Sequence, residues 1–362
     1  MRYVRFAVYL FGVAALAVAL DAHFAAAQQS SGPYKVLKTA RVGGEGGYDY
    51  IFADAKARRL YVPRGGQNAG QVIVFNLDTL ESVGSIPDVR SGGATVDPKS
   101  HHGFSTTKPL TMWDAETLKV IKTIEVEGRP DGILTDPYNS RVWVLSHQLP
   151  HATIIDAASG NIVKTLDLGG APEQAVSDGK GTVYINITDK ANIAVVDAKS
   201  LTVTAHYDVS SKGTGGSGLA LDAKNHILFA YYRQPSPVAI IVNAKNGEII
   251  TTLPTGMGVD TVAFNPATNE AISAEYAGTM TFIKENKPTR ETGLGPASFL
   301  VEQTLQTMVG AKTLALDTKT GHLLTMAAEF GPPAADAQPG PAGRPPRGPM
   351  IPGSFTVLMV GK

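Results

Sequence analysis

Five chargeable side chains share one position in a repeated sequence pattern, and they are the residues of this chain best suited to chemistry. Each lies five residues before an Asp or Asn that opens a tight turn. The turn residues, 39 to 52 residues apart, are Asp54, Asp97, Asp136, Asp178, Asp222, Asn265 and Asp317. The residues five positions earlier are Asp49, Gly92, Asp131, Glu173, Ser217, Asp260 and Lys312. Carboxylates brought together in a partly dry site raise one another's pKa or recruit a cation. The pattern predicts a binding cluster, provided that the fold unites these positions.

The repeat itself predicts such a fold. Each turn separates two short apolar runs, and most repeats continue into a second hairpin such as VIVFNLDTLESVGSI or ATIIDAASGNIVKTLDL. Each repeat therefore holds four strands, named a to d in chain order, and no long segment beyond the N-terminal apolar run has a helical period. Four short strands per repeat of about 40 residues are typical of a propeller blade. We predict an all-β protein, a seven-bladed β-propeller of four-stranded antiparallel blades, formed as one domain by residues 34–362.

The chain ends predict how the ring closes. FTVLMV (355–360) matches strand c and has no strand d after it, whereas YKVLKTARVGG (34–44) resembles the d strand NIVKTLDLGG (161–170). Pairing the N-terminal strand with the last blade would remove an open sheet edge. The Pro- and Gly-rich segment 331–353 falls between strands b and c of blade seven. Its composition predicts a mobile or polyproline-like loop, which could act as a lid.

Propeller geometry would gather the repeated position at the mouth of a central tunnel, because strand a lines the tunnel. The predicted ligand-binding residues at the mouth are Asp49, Asp131, Glu173, Ser217, Asp260 and Lys312. The four acids Asp49, Asp131, Glu173 and Asp260 are candidate metal ligands, and their oxygens would suit Ca²⁺ or Mg²⁺. The b–c loops share this face and add a predicted rim of Arg64, Lys108, His147, His151 and Arg233. Two alternatives stay open: each acid could accept N–H bonds from its own loop, and the rim charges could simply be solvated.

The N-terminus predicts export. MRYVR is a basic region, residues 6–20 are apolar, and Ala25 and Ala27 suit cleavage before Gln28, which is the pattern of a signal peptide over residues 1–27. A short linker (28–33) follows, and the alternative is an uncleaved anchor. No other apolar run is long enough to span a bilayer. The expected location is the periplasm or the exterior of the cell.

The amino-acid composition argues against several classes of partner and cofactor. The chain has no cysteine, which excludes disulfides and thiolate metal sites. Removing residues 1–27 leaves 30 basic against 31 acidic residues, so nucleic-acid binding is not expected. GTGGSG (213–218) matches a dinucleotide fingerprint, but a strand and not a helix is expected after it, so we interpret it as a flexible loop. We expect a monomer.

Two of the repeats contain similar tetrapeptides, Tyr61-Val62-Pro63-Arg64 and Tyr184-Ile185-Asn186-Ile187. In these motifs, and over about residues 34–362, the chain resembles the YVTN-repeat, YncE-like seven-bladed propellers of bacterial periplasms, within the wider WD40/YVTN repeat-like superfamily. The stretch PEQAVSDGKGTVYINITDKANIAVVDAKSL and the ending GSFTVLMVGK are similar to one exported subgroup. That subgroup often has a His in the loop before the second blade, where this chain has Arg90-Ser91-Gly92-Gly93. The resemblance implies a fold and a compartment, without a settled reaction.

Three functions remain open from the sequence. The first, favoured because no complete nucleophile–base constellation is visible, is a non-catalytic module that binds a small ligand or a periplasmic protein around the acidic mouth. The second is a metal-assisted, lactonase-type hydrolase with a ring carboxylate or His147 as base. The third is a scaffold subunit of a periplasmic redox complex.

Overall fold

The protein is a ring of seven four-stranded antiparallel sheets, as the repeat predicts. The computed structural model describes residues 32–44, 46–65, 70–89, 92–286, 295, 298–336, 338 and 346–362. The predicted signal peptide (1–27) lies outside these residues, as does most of the linker. Among the described residues there is no α-helix, and none of their elements is a helix long and apolar enough to cross a membrane.

The strands follow the chain blade by blade, from the innermost strand a to the outermost strand d. Strand β1 (Lys35–Arg41) comes first and belongs to the last blade. Blade one comprises β2 (Phe52–Asp54), β3 (Arg59–Arg64), β4 (Gln71–Asn76) and β5 (Ser82–Pro87). Blade two comprises β6 (Ala94–Val96), β7 (His102–Ser105), β8 (Leu110–Asp114) and β9 (Val120–Ile124). Blade three comprises β10 (Pro130–Asp136), β11 (Arg141–Ser146), β12 (Ala152–Asp156) and β13 (Ile162–Leu166).

The second half of the ring repeats this order. Blade four comprises β14 (Pro172–Ser177), β15 (Thr182–Ile187), β16 (Asn192–Asp197) and β17 (Thr202–Asp208). Blade five comprises β18 (Thr214–Asp222), β19 (Ile227–Gln234), β20 (Val238–Asn243) and β21 (Ile249–Pro254). Blade six comprises β22 (Val259–Asn265), β23 (Glu270–Glu275), β24 (Thr279–Glu285) and β25 (Phe299–Gln306). Blade seven comprises β26 (Leu314–Leu316), β27 (Leu323–Ala327) and β28 (Thr356–Gly361), with β1 as its strand d.

The N-terminal strand closes the ring, as predicted from the chain ends. Strand β1 pairs antiparallel with β28, from Lys35 opposite Gly361 to Arg41 opposite Thr356. The residue before it is fixed to blade six: the backbone N–H of Tyr34 donates to Gln303 Oε1 at 2.9 Å, and Gln303 Nε2 donates to the Tyr34 carbonyl at 2.8 Å. The first and last strands therefore share one sheet, and β1 covers the edge that β28 would otherwise expose.

The repeated Asp residues set the tight turns through their side chains. Asp54 Oδ1 accepts the backbone N–H groups of Lys56 and Ala57, at 3.0 and 2.9 Å. Asp222 Oδ1 does the same for Lys224 at 2.9 Å. A short carboxylate side chain that bonds the backbone two or three residues ahead stabilises a turn without help from the rest of the fold. This local cause explains why the turn residues were the clearest marker of the repeat.

The hydrophobic core lies between the blades. In the described part of the chain each large apolar cluster joins two neighbouring blades, and the outer strands keep an exposed face. Trp113 is fully buried against blade one, and Trp143 is fully buried against blade four. Both tryptophans are thus inter-blade core residues. Each blade buries its apolar face only when its neighbours are present.

The strands a form the inner ring around the tunnel. Below the mouth, they enclose a cavity of about 400 Å³ with a mainly apolar lining that includes Ile133 and Leu134. Gln174 of β14 crosses from blade four to blade six, where its Nε2 donates to the Val262 carbonyl at 2.9 Å. Its Oε1 accepts the N–H groups of Val262 and Leu219, at 2.9 and 3.1 Å. The inner ring is therefore tied together below the mouth.

Two loop predictions need correction. Most of GTGGSG is strand, because Thr214 and Gly216 pair with Gln234 and Tyr232 in β18 and β19. A side chain at Gly216 would lie 2.6 Å from Asn186 Oδ1, so the glycine permits close packing. The described ends of the insert 331–353 also pack, since the Gly331 N–H donates to the Pro349 carbonyl at 2.9 Å. Composition correctly predicted an irregular insert between strands b and c, but it could not show this paired stem.

Candidate functional site

The acidic residues at the repeated position converge, as the sequence predicted. Lys312 of blade seven contacts Asp49 of blade one and Asp260 of blade six. Across the tunnel, the Tyr50 hydroxyl of blade one donates to Glu173 Oε2 of blade four at 3.1 Å. A bond between blades one and four is possible only if their inner strands meet at one narrow mouth. The side chains, however, divide into two groups with different partners.

The first group is an ion-pair network that neutralises itself. Lys312 Nζ lies 2.9 Å from Asp49 Oδ1 and also bonds Asp260 Oδ2, and Arg233 Nη2 donates to Asp260 Oδ1 at 2.9 Å. Burial would raise the pKa of Asp260, but Lys312 and Arg233 outweigh it and hold that pKa well below its usual range. The pKa of Asp49 is raised well above its usual range, by burial and by the charge of Asp260. The two cations of this group are already paired with its own acids.

The second group is a cluster of one imidazole and two carboxylates. His147 Nε2 lies 3.4 Å from Asp131 Oδ2 and 3.7 Å from Glu173 Oε1. The ligand atoms of the three side chains all lie within 4.8 Å of one another. Among the described residues, neither Asp131 nor Glu173 forms an ion pair with a lysine or arginine, and neither accepts a backbone N–H of its own loop. Among the described acids at the mouth, Asp131 and Glu173 are therefore the pair whose negative charge no lysine or arginine neutralises.

The charges of this second group perturb one another. Burial raises the pKa of Asp131, and the neighbouring Glu173 carboxylate raises it further. The Glu173 carboxylate is also the main cause of the raised pKa of His147, with a further contribution from Asp131. Asp131 is thus harder to ionise than a free aspartate, and His147 holds a proton more firmly than a free histidine. The pKa shift of His147, and the smaller part of the pKa shift of Asp131, come from neighbouring negative charge, which a positively charged ligand would offset.

Two more residues orient this cluster. Tyr50 is buried, and its hydroxyl fixes Glu173 Oε2, which leaves Oε1 facing His147. Arg129 is exposed, and its Nη2 donates to His147 Nδ1 at 3.0 Å. Since a guanidinium can only donate, Nδ1 accepts, and in the neutral ring the proton is on Nε2. Nε2 itself is buried and has no hydrogen-bond partner within the described parts of the chain.

The backbone leaves space for Asp131. At the equivalent position of blade two the chain has Gly92, where a side chain would begin 3.1 Å from Asp131 Oδ1. Asp131 enters the mouth at the start of β10, and His147 follows the end of β11, so both come from the face where d–a and b–c loops meet. The predicted sharing of one face by these loops is confirmed by this contact.

Several predicted site residues do not reach the cluster. Ser217 is buried and its hydroxyl is directed to the Tyr231 carbonyl of its own blade at 3.5 Å. Arg64 is buried too, and its guanidinium stacks on Phe355 at 3.4 Å and donates to the carbonyls of the first d–a loop. In both cases the side chain contacts other parts of the protein and does not contact the ring acids.

The other rim residues separate in the same way. His151 Nδ1 lies 2.8 Å from Asp167, away from the cluster, and Lys108 donates to the Gly128 carbonyl at 3.2 Å. Only His147 and Arg233 contact ring acids. The proposed four-acid metal set is also divided, because Asp49 and Asp260 are bound by Lys312. The set that the fold does bring together is Asp131, His147 and Glu173.

Sequence reasoning missed Tyr50, Arg129 and a neighbouring cavity. The cavity measures about 280 Å³, adjoins Lys312, and is lined by residues that include Tyr48, Tyr276, Phe330, Arg347 and Met350. The guanidinium of Arg347 lies over the Phe330 ring at 4.1 Å. The described end of the insert thus forms a wall of this cavity. Tyr50 and Arg129 adjoin Asp49 and the start of β10 in the sequence, so inspecting the neighbours of each ring residue would have found them.

Comparisons with known proteins agree on the fold alone. No family model matches the chain, and no curated protein matches it. Among solved structures, a chain of "Crystal Structure of Mitotic Checkpoint Complex" is similar at 9% identity and a TM-score of 0.66, covering 89% of this chain and 95% of that one. "Kuenenia stuttgartiensis Hydrazine Synthase" is similar at 14% identity and a TM-score of 0.65, covering 79% and 94%. At such low identity, these similarities support the seven-bladed β-propeller fold and do not indicate a function.

Proposed function

We propose that this protein is an exported binding module that captures a small, positively charged ligand at the mouth of its tunnel. The observation that carries the proposal is the unequal neutralisation of the ring acids. Asp49 and Asp260 share Lys312, whereas Asp131 and Glu173 have no lysine or arginine partner in the described part of the chain. A rigid ring with unneutralised carboxylates at a concave mouth attracts cations and can bind them without catalysing a reaction.

The cavity beside Lys312 adds room for the remainder of such a ligand. Its walls offer the rings of Tyr48, Tyr276 and Phe330, and the guanidinium of Arg347 supplies a positive charge. A ligand whose cationic group contacts Asp131 and Glu173 could place an apolar or anionic portion there. This arrangement favours a small zwitterion or a cation–anion pair over a large polymer.

Thermal unfolding with a panel of cations tests the proposal. The probes are choline, spermidine, arginine and divalent metal chlorides, added to the mature protein. A ligand at 100 times its Kd stabilises the folded state by about 2.7 kcal/mol. We expect at least one probe to stabilise the native protein, and the double variant Asp131→Asn with Glu173→Gln to lose this stabilisation.

The matched control is the double variant Asp167→Asn with Asp189→Asn, which changes two exposed acids in the loops of the same face. An equal response in both double variants would refute the site, and no response to any probe would refute the function.

The hydrolase remains the second proposal, and His147 is the observation that favours it. A histidine beside two carboxylates, at a mouth with an adjoining cavity, is a plausible general base. Hydrolysis of a lactone panel that is lost in His147→Gln and kept in His151→Gln would favour the enzyme. If neither ligands nor lactones give a signal, the scaffold role in a larger complex becomes the better proposal.

A further inference from the structure

We propose that Asp131, His147 and Glu173 form a binding site for one divalent transition-metal ion, best matched to Zn²⁺. This inference rests on the proposed function and identifies the captured cation. It differs from the four-acid set expected from the sequence, because it replaces Asp49 and Asp260 with an imidazole. Three features of the site support this assignment: the spacing of the ligand atoms, the charge of the three side chains, and the contacts that Tyr50 and Arg129 make with them.

The spacing fits metal coordination better than hydrogen bonding. The two distances from His147 Nε2, 3.4 Å to Asp131 and 3.7 Å to Glu173, exceed the usual N–H···O length of about 2.9 Å. Zinc bonds to nitrogen and carboxylate oxygen measure about 2.1 Å, and a tetrahedron with such bonds has edges of roughly 3.4 Å. The Nε2 atom is buried, has no hydrogen-bond partner among the described residues, and is aimed between the two carboxylates. A small shift of each side chain would place all three around one ion.

The charge and chemistry of the set select the kind of ion. A neutral imidazole and two carboxylates carry two negative charges, which a divalent ion cancels. Calcium prefers six to eight oxygen ligands and magnesium keeps most of its waters, so an imidazole nitrogen favours a transition metal over either. Three protein ligands leave a fourth position open, as in zinc sites that bind an exogenous molecule. The tunnel mouth gives that position access to solvent.

Two neighbouring side chains contact the proposed ligands, and one of them favours metal binding while the other opposes it. The Tyr50 hydroxyl donates to Glu173 Oε2, which orients the carboxylate and leaves Oε1 for the ion. Arg129 acts in the opposite direction. Its bond to Nδ1 keeps the proton on Nε2, the atom that must bind the metal. Metal binding therefore requires the exposed Arg129 side chain to move away, so that Nδ1 can carry the proton instead.

The test is a titration of the chelator-treated mature protein with ZnCl₂, CoCl₂, CaCl₂ and MgCl₂ by calorimetry, with the visible absorption of bound Co²⁺ as a geometric readout. We expect about one Zn²⁺ per chain, a Co²⁺ spectrum of low coordination number, and much weaker binding of Ca²⁺ and Mg²⁺. We expect Zn²⁺ binding to weaken in each of the variants His147→Gln, Asp131→Asn and Glu173→Gln. Each loss should exceed the ~10- to 100-fold that follows when a residue that only orients a metal ligand is removed. His151→Gln is the matched control and should bind Zn²⁺ as the native protein does.

Arg129→Gln gives a test that does not depend on damaging the site. Removing the competing donor, and offering an amide oxygen to Nδ1–H, should tighten Zn²⁺ binding about tenfold. Unchanged or weaker Zn²⁺ binding in Arg129→Gln, or Zn²⁺ binding that survives in His147→Gln, would overturn the inference. Binding of an organic cation that depends on Asp131 and Glu173, with no Zn²⁺ binding, would overturn the metal site and leave the proposed function standing.

Discussion

Glu285 at the end of β24 is a buried carboxyl whose ionisation should limit the stability of the ring. Its side chain lies beside Asp222 and Asn225 of blade five, where Asn225 Nδ2 donates to Oε1 at 2.9 Å. The other oxygen, Oε2, is buried without a hydrogen-bond partner among the described residues. Burial raises the pKa of Glu285 to about 7, and the nearby Asp222 carboxylate adds to the rise. We predict that Glu285→Gln stabilises the protein at neutral and higher pH.

The sign and size follow from linkage. The folded-state pKa of about 7 lies above the usual value of 4.5, so the folded state holds the proton more firmly than the unfolded state. The stability that this proton provides is complete below about pH 4.5 and is lost as the pH rises through about 7. At about 1.4 kcal/mol per pH unit, the full loss is about 3 kcal/mol, and solvent screening reduces it. Glutamine cannot ionise, so we expect a gain of about 1 to 3 kcal/mol at pH 8 and almost none at pH 4.5.

Urea unfolding from pH 4.5 to 8, followed by the fluorescence of the buried Trp113 and Trp143, measures this difference. The free energy of unfolding of Glu285→Gln should exceed that of the native protein by an amount that grows between pH 5 and 7. Glu81→Gln is the matched control, since Glu81 is an exposed glutamate in the turn before β5. Parallel pH profiles for the native protein and Glu285→Gln, or a less stable variant at pH 8, would show that this reasoning is wrong.

Two further substitutions test the network at the mouth and the closure of the ring. Lys312→Met should reduce the free energy of unfolding by about 3 kcal/mol, because it leaves the partly buried Asp49 without a cation and the buried Asp260 with Arg233 alone. Adding Asp260→Asn should recover part of the loss, and no recovery would contradict the assigned ion pairs. Gln303→Leu should cost about 2 to 3 kcal/mol in urea unfolding, because both of its bonds to the backbone of Tyr34 are lost; an unchanged midpoint would show that these bonds do not hold the N-terminal strand.

The fold could be predicted from the sequence because its markers act locally. The turn carboxylates bond their own backbone, as Asp54 does with Lys56 and Ala57, so they recur wherever the turn recurs. Counting them gave the number of blades, and the missing last strand gave the closure by β1. Convergence of the repeated position followed from ring geometry alone, without knowledge of any side-chain conformation.

The pairing within the mouth could not be predicted in the same way. Whether Lys312 contacts Asp49, Asp131 or Glu173 depends on side-chain direction, which the spacing of repeats does not determine. Arg64 illustrates the limit: its place after strand b suggested a rim position, but stacking on Phe355 holds it inside. His147 illustrates the opposite case, since a loop residue assigned to the rim reaches the ring acids.

The order of residues around the ring explains which of the described acids at the mouth are paired with a lysine or arginine and which are not. Blades six, seven and one contribute Asp260, Lys312 and Asp49 in sequence, so the lysine lies between two acids and neutralises both neighbours. Blades three and four contribute the two adjacent acids Asp131 and Glu173, which contact His147 but no lysine or arginine among the described residues.

The uncharged Gly92 of blade two and Ser217 of blade five separate these two groups. Lys312 and Arg233 neutralise the first group, whereas the acids of the second group have no such partner among the described residues.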